Sequence, residues 1–219
     1  MKTQRFVSSC AFLMAILVGA PSAALADNGD QLTDAGFELQ TAADDGGWTL
    51  FEISLFSKNY ARSGSQSMFN GGFSRTVPFQ ATFIGNASGA FQEFPATAGS
   101  RWRLTGYALT PETLEGTTAF GVLQVSFFDA DGDDLGTVET AGSTTKAKTS
   151  AQVNRDSSVA EWISLDTGVA TAPEGTASIQ AFTLFVDFSG SDKTQGVYFD
   201  DLRLCELDED GDSGGCDLR

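Results

Sequence analysis

Apolar and polar residues trade places along this chain in short runs, and glycine breaks the runs before they reach helical length. Strand-like segments recur at Ala35–Leu39, Trp48–Ser54, Ser65–Asn70, Gly89–Phe94 and Trp102–Thr110, then at Phe120–Phe128, Asp134–Val138, Glu161–Val169, Ala177–Phe188 and Val197–Leu204. No long window repeats apolar residues at three-and-four spacing, and 24 glycines punctuate the chain, so the pattern excludes an α-helical body. Turn-rich pieces between strand-like runs predict an all-β domain: a two-sheet antiparallel β-sandwich, in its jelly-roll form. No internal repeat and no linker divides the chain.

Local chemistry refines this picture. Asp129-Ala130-Asp131-Gly132-Asp133-Asp134 lies between apolar runs and reads as a hairpin turn, with Gly132 supplying a positive φ. Pro173-Glu174-Gly175 reads as a second turn, and Thr140–Ser158 as a long polar exposed loop. Phe127, Phe128, Phe182, Phe185, Phe188 and Phe199 are expected to fill the space between the sheets, since phenylalanine buries a large area. Along Trp102–Leu109 the period of two puts Trp102, Leu104 and Ala108 on one face. Arg101, Arg103, Thr105 and Tyr107 share the other. On the next long strand Gln124 and Ser126 oppose Leu123, Val125 and Phe127.

Composition then decides what surrounds the sandwich. Lys2 and Arg5 precede the apolar run Phe6–Ala20, and Ala24-Leu25-Ala26 is a small-x-small cleavage site. Residues 1–26 are therefore expected to be a secretory signal peptide, leaving a domain at 27–204 and an acidic tail at 205–219 in a secreted or periplasmic protein. The apolar run is short for a membrane anchor. Losing Lys2 and Arg5 with no acid takes the net charge from −16 to −18. That balance excludes nucleic acid and anionic membranes as natural partners. Cys205 and Cys216 remain, with ten residues between them, and in an exported chain they are expected to close a disulfide loop that ties the tail to the last strand.

The chain contains no His, which excludes a Ser-His-Asp or Cys-His nucleophile and any His-ligated metal. Glu206-Leu207-Asp208-Glu209-Asp210 alternates acids as a glycosidase strand does, but it follows the last strand and lies between two Cys. No catalytic role is expected. In the Asp129–Asp134 turn, Asp134 stands where an EF-hand loop needs Gly, and Glu139 falls one short of its twelfth position. The adjacent acids Asp200 and Asp201, inside the apolar closing strand, do call for partners. Asp201 has the opposite pleat parity to Asp200 and is expected to face solvent.

Several pieces, in order, resemble carbohydrate-binding modules of the family 4/9/22 type: Asp34-Ala35-Gly36-Phe37-Glu38, Gly47-Trp48, Ala61-Arg62-Ser63-Gly64-Ser65-Gln66-Ser67 and Ala98-Gly99-Ser100-Arg101-Trp102-Arg103-Leu104. They continue with Val125–Gly132, Trp162, Ala172–Ala177 and Tyr198-Phe199-Asp200-Asp201-Leu202. The resemblance implies a jelly roll with a structural calcium where the first and last strands meet. Glu38 and Asp200 would ligate it, with backbone carbonyls from the loop at Ser63–Ser65. It further implies polysaccharide binding without catalysis. The polar faces suggest a site built from Arg103, Tyr107, Gln124 and Gln180, with Trp48 or Tyr60 from a loop. The alternative is a structural or adhesive module whose partner is a cell-surface protein.

Overall fold

A computed structural model describes residues 29–39, 46–72, 87–115, 118–136, 148–188 and 195–208. The expected signal peptide, Cys216 and most of the acidic tail lie outside them, as do Thr137 and Val138 of the Asp134–Val138 run. Among the described residues the chain forms twelve strands and no α-helix. These are β1 (Thr49–Phe51), β2 (Ser54–Ser57), β3 (Ser67–Gly71), β4 (Ala87–Pro95), β5 (Arg101–Leu109) and β6 (Ala119–Phe128), followed by β7 (Lys148–Thr149), β8 (Val153–Asn154), β9 (Ile163–Asp166), β10 (Ala170–Thr171), β11 (Ser178–Asp187) and β12 (Gly196–Leu207).

The strands form two antiparallel sheets, as the alternation predicts. One has the order β1-β4-β11-β6-β7, with β8 also on β6; the other runs β10-β5-β12-β3-β2, with β9 also on β5. Between them lie Trp102, Leu104, Met68, Phe199, Leu123, Phe127 and Phe185, all buried. Each fully buried large side chain contributes about 1.5–3 kcal/mol by leaving water. Asn70 on β3 reaches across the core to donate to the Thr183 hydroxyl on β11 at 2.9 Å, a polar tie that fixes how the two sheets face one another.

Several expectations need correction. Ala35–Leu39 is a turn, not a strand: Asp34 and Phe37 take φ of 51° and 59°, and the Asp34 carboxylate holds the turn by accepting from Glu38 N at 2.6 Å. Trp48–Ser54 divides into β1 and β2 at Glu52, whose φ is 55°. The described part of Thr140–Ser158 contributes β7 and β8, which extend the sheet at β6, and Val153 is fully buried. β12 continues through Cys205 to Leu207, so the expected tail starts inside the fold.

Of the six phenylalanines assigned to the core, Phe127, Phe185 and Phe199 are there. Phe128 and Phe182 lie half-buried on the outer side of their sheet, because the pleat alternates, and Phe188 is 63% exposed. The Asp129 turn forms as expected, with its carboxylate accepting from Asp131 N and Asp133 N and Gly132 at φ 84°.

Candidate functional site

The two outer faces of the sandwich differ in kind. On the β5-β12-β3 sheet, residues 58–66 cross the outer face as a strap. Tyr60 packs on Tyr198 at 4.9 Å between ring centroids, and Tyr198 packs on Phe69 at the same distance. The Arg62 guanidinium lies 3.5 Å above the Tyr107 ring and pairs with Asp201. At the edge, Arg103 makes a two-pronged pair with Asp166, Nε to Oδ1 at 3.0 Å and Nη2 to Oδ2 at 2.5 Å. That contact holds the Asp166 carboxyl below the usual carboxylate range.

The strap is pinned by two carboxylates. Asp200, fully buried, accepts from Arg62 N at 2.7 Å and Ser63 N at 3.3 Å. Glu38 accepts from Ser65 N at 2.8 Å, Ser65 Oγ at 2.8 Å and Gln66 N at 2.9 Å. Gly64 at φ 61° makes room for this: a Cβ there would collide with the Glu38 carboxylate. Burial, with the like charge of Asp201 beside it, pushes the Asp200 carboxyl up to about 6. The Glu38 carboxyl carries some desolvation cost, yet its Ser65 and Gln66 donors hold it below the usual value.

Asp201 keeps part of its side chain exposed, as expected, but it is not simply solvated. A bulge in β12 between Asp200 and Arg203, with Asp201 at φ 50°, turns its carboxylate to Arg62 and the Ser63 hydroxyl. Glu38 and Asp200 thus both meet the same short segment, through its N–H groups. Toward these carboxylates Ser63 and Ser65 present N–H, and Ser65 also its hydroxyl; the expected calcium shell would draw on their carbonyl oxygens instead. Among the described residues no three His, Cys, Asp or Glu side chains gather as a metal cluster.

The outer face of the β4-β11-β6 sheet is aromatic and amide. Register pairs Phe91 with Phe182 and Phe182 with Gln124, and in the next row Glu93 with Gln180 and Gln180 with Ser126. The Phe91 and Phe182 rings stand 5.3 Å apart, tilted by 39°, and each keeps part of its surface exposed. Gln180 Nε2 donates to Glu93 at 2.8 Å, and Gln124 Nε2 to Ser126 Oγ at 2.9 Å. One row further along, Phe51 lies over Gly89, where a Cβ would collide with its ring. The side chains form a platform: hydrophobic ring faces in the middle and hydrogen-bonding groups along one side.

The constellation expected from the sequence is therefore divided. Gln124 and Gln180 lie together on the platform. Arg103 and Tyr107 lie on the opposite outer face, engaged with Asp166 and Arg62. Tyr60 belongs to the strap and packs on Tyr198. Trp48 is a core residue, 1% exposed, against Phe37 at 5.0 Å, with its indole N–H donating to Asp34 O. Parity could have revealed the missing members, since Phe182 stands two residues from Gln180 on the same strand and so shares its face. Cys205 is buried on β12, while its expected partner Cys216 lies outside the described residues.

No family model matches the sequence, and no curated protein matches it. Solved structures do. The C-terminal family 22 carbohydrate-binding module of Clostridium thermocellum Xyn10B is similar over 88% of this chain and 98% of its own, at 16% identity and a TM-score of 0.50. The arabinose-bound MgGH51 α-L-arabinofuranosidase is similar over 86% of this chain and 28% of its own, at 15% identity and a TM-score of 0.52. The chain spans about a fifth of the enzymatically active domain of bacteriophage CBA120 tailspike protein 4, with 21% of that protein and 81% of this one covered, at 11% identity and a TM-score of 0.48. At these identities the first two likenesses show the fold, the jelly-roll sandwich expected from the sequence.

Proposed function

We propose that this chain is an exported, non-catalytic domain that binds a polysaccharide on the outer face of the β4-β11-β6 sheet. The observation that carries the reading is the pair Phe91 and Phe182, partly exposed side by side and flanked by Gln124, Gln180 and Glu93. A sugar ring has an apolar C–H face and a rim of hydroxyls. The platform offers ring faces for the first, and amides and a carboxylate for the second. The net charge of −16 and the position of Glu93 favour a neutral glycan over a polyanion. The shared fold with a family 22 carbohydrate-binding module supports the same reading. Affinity electrophoresis through gels containing neutral or acidic polysaccharides tests it: retardation by a neutral one is expected, and free migration in all of them overturns it.

The reading includes two structural ties. Calcium would be held by the Glu38 and Asp200 carboxylates. The support for it is Asp200, a fully buried carboxylate beside the like charge of Asp201. A melting midpoint that is the same in calcium and in chelator removes the ion. A Cys205–Cys216 bond would close the end of β12, and mass determination before and after reduction and alkylation reads it directly.

A further inference from the structure

A cleft of about 370 Å³ opens beside the bulge of β12, on the strapped side of the molecule and away from the platform. Asp30, Arg62, Tyr107, Asp201 and Arg203 line it, and Gly36 contributes bare backbone. Its volume is in the range of small-molecule sites, but its lining is polar and charged. The backbone around it is strained: Asp34, Phe37 and Asp201, three of the five non-glycine residues at positive φ among the described residues, lie in or next to its walls. The β12 bulge sets Asp201 and Arg203 here. Such outliers and bulges gather where a surface is shaped for a ligand.

The charges define the ligand. Each cation has an acid close by: Arg62 pairs with Asp201, and Arg203 attracts Asp30, whose carboxyl is also held by Leu32 N and Leu204 N. An anion drawn to either guanidinium would meet two carboxylates, and a cation would meet two guanidiniums. A hydroxyl both donates and accepts, so adjacent hydroxyls match an Arg–Asp pair with both members satisfied. We propose that this cleft is a second binding site, which takes one neutral sugar ring through its vicinal hydroxyls, independently of the platform.

The test is an amide NMR titration of the full chain with the methyl glycosides of glucose, galactose, mannose, xylose and arabinose. The readout is the amides of Gly36, Ser63, Leu202 and Arg203, which are signals separate from those of Phe91, Gln124 and Phe182. At least one glycoside is expected to shift the cleft amides saturably, and to do so equally in a Phe91→Ala/Phe182→Ala variant. Arg203→Met should weaken that binding about tenfold, the equivalent of one hydrogen bond to a charged group. Should Arg203→Met fail to fold, Gly36→Leu fills the same cleft without removing a polar group and should abolish the shifts. The proposal falls if no glycoside moves the cleft amides saturably, if the filled or Arg203→Met cleft binds as well as the wild type, or if methyl glucuronide binds as tightly as the neutral sugars. Loss of platform binding alone leaves this site standing, and the reverse also holds.

Discussion

The sandwich has two outer faces made from the same alternating strands, and they have been put to opposite uses. On the β5-β12-β3 sheet the outward-pointing positions carry Arg103, Tyr107, Tyr198 and Asp200, and almost all of that chemistry is taken up by the protein's own groups, which leave Asp200 fully buried. Asp166 answers Arg103, Arg62 covers Tyr107, and the strap's N–H groups answer Asp200. On the β4-β11-β6 sheet the outward-pointing positions carry Phe91, Phe182, Gln124 and Gln180, which among the described residues are tied to near neighbours of their own face. Charged residues suit a lid because ion pairs fix its register. Rings and amides suit a ligand surface because they cost little to leave wet and gain when covered. A polar, aromatic face in the sequence is therefore not a binding face until one knows what its own chain has laid across it.

The largest effect that sharpens this contrast belongs to Asp200. Its native carboxyl titrates near 6 against 3.8 for the ordinary group, so between those values the folded state holds a proton that the unfolded chain releases. Stability therefore falls as pH rises from about 4 to about 6, by up to about 3 kcal/mol. Chemical denaturation in calcium-free buffer should show this slope, and Asp200→Asn should lose it while polysaccharide binding persists. A variant with the wild-type slope would mean that Asp200 does not titrate with the strap.

Phe182→Ala comes next. It should weaken polysaccharide binding at least about tenfold, as loss of a central aromatic anchor does, with no change in the pH slope just described. Equal retardation of variant and wild type in affinity gels would transfer the function to another surface.

How far the chain betrayed this arrangement depends on the kind of signal. Period-two alternation located the long strands β4, β5, β6, β11 and β12, since burial on one face imposes it. It also put Trp102 and Leu104 inside and Arg103 and Tyr107 outside. It missed β7 and β8, whose two-residue lengths are too short to show a period, and it misread Ala35–Leu39, where Asp34 caps a turn. That the carboxylate of Asp200 needs a partner was legible from its place in an apolar strand; that it and Glu38 meet the N–H groups of one strap was not. The bulge that redirects Asp201 was not, because one extra residue reverses parity without changing composition. Gln124 and Gln180 were found by alternation, but Arg103 and Tyr107 were joined to them because parity says in or out, never which of two sheets.

Two smaller effects complete the contrast. Gly64→Ala should cost more than about 1 kcal/mol in denaturation, since φ of 61° and the Glu38 carboxylate both oppose a Cβ; a neutral result would show that the strap is not pinned there. Arg103→Ala should cost less than about 1 kcal/mol, as exposed ion pairs do, and leave polysaccharide binding unchanged. A large loss of binding would bring the strapped face back into contention.

The central claim is that the platform, not the strapped face, holds the polysaccharide. Its most direct measurement is amide shift mapping with an oligosaccharide cut from whichever polymer retards the protein. Shifts are predicted to centre on Phe91, Glu93, Gln124, Gln180 and Phe182. Shifts that leave these five unmoved and gather instead on Arg103, Tyr107 and Asp166 would contradict the account.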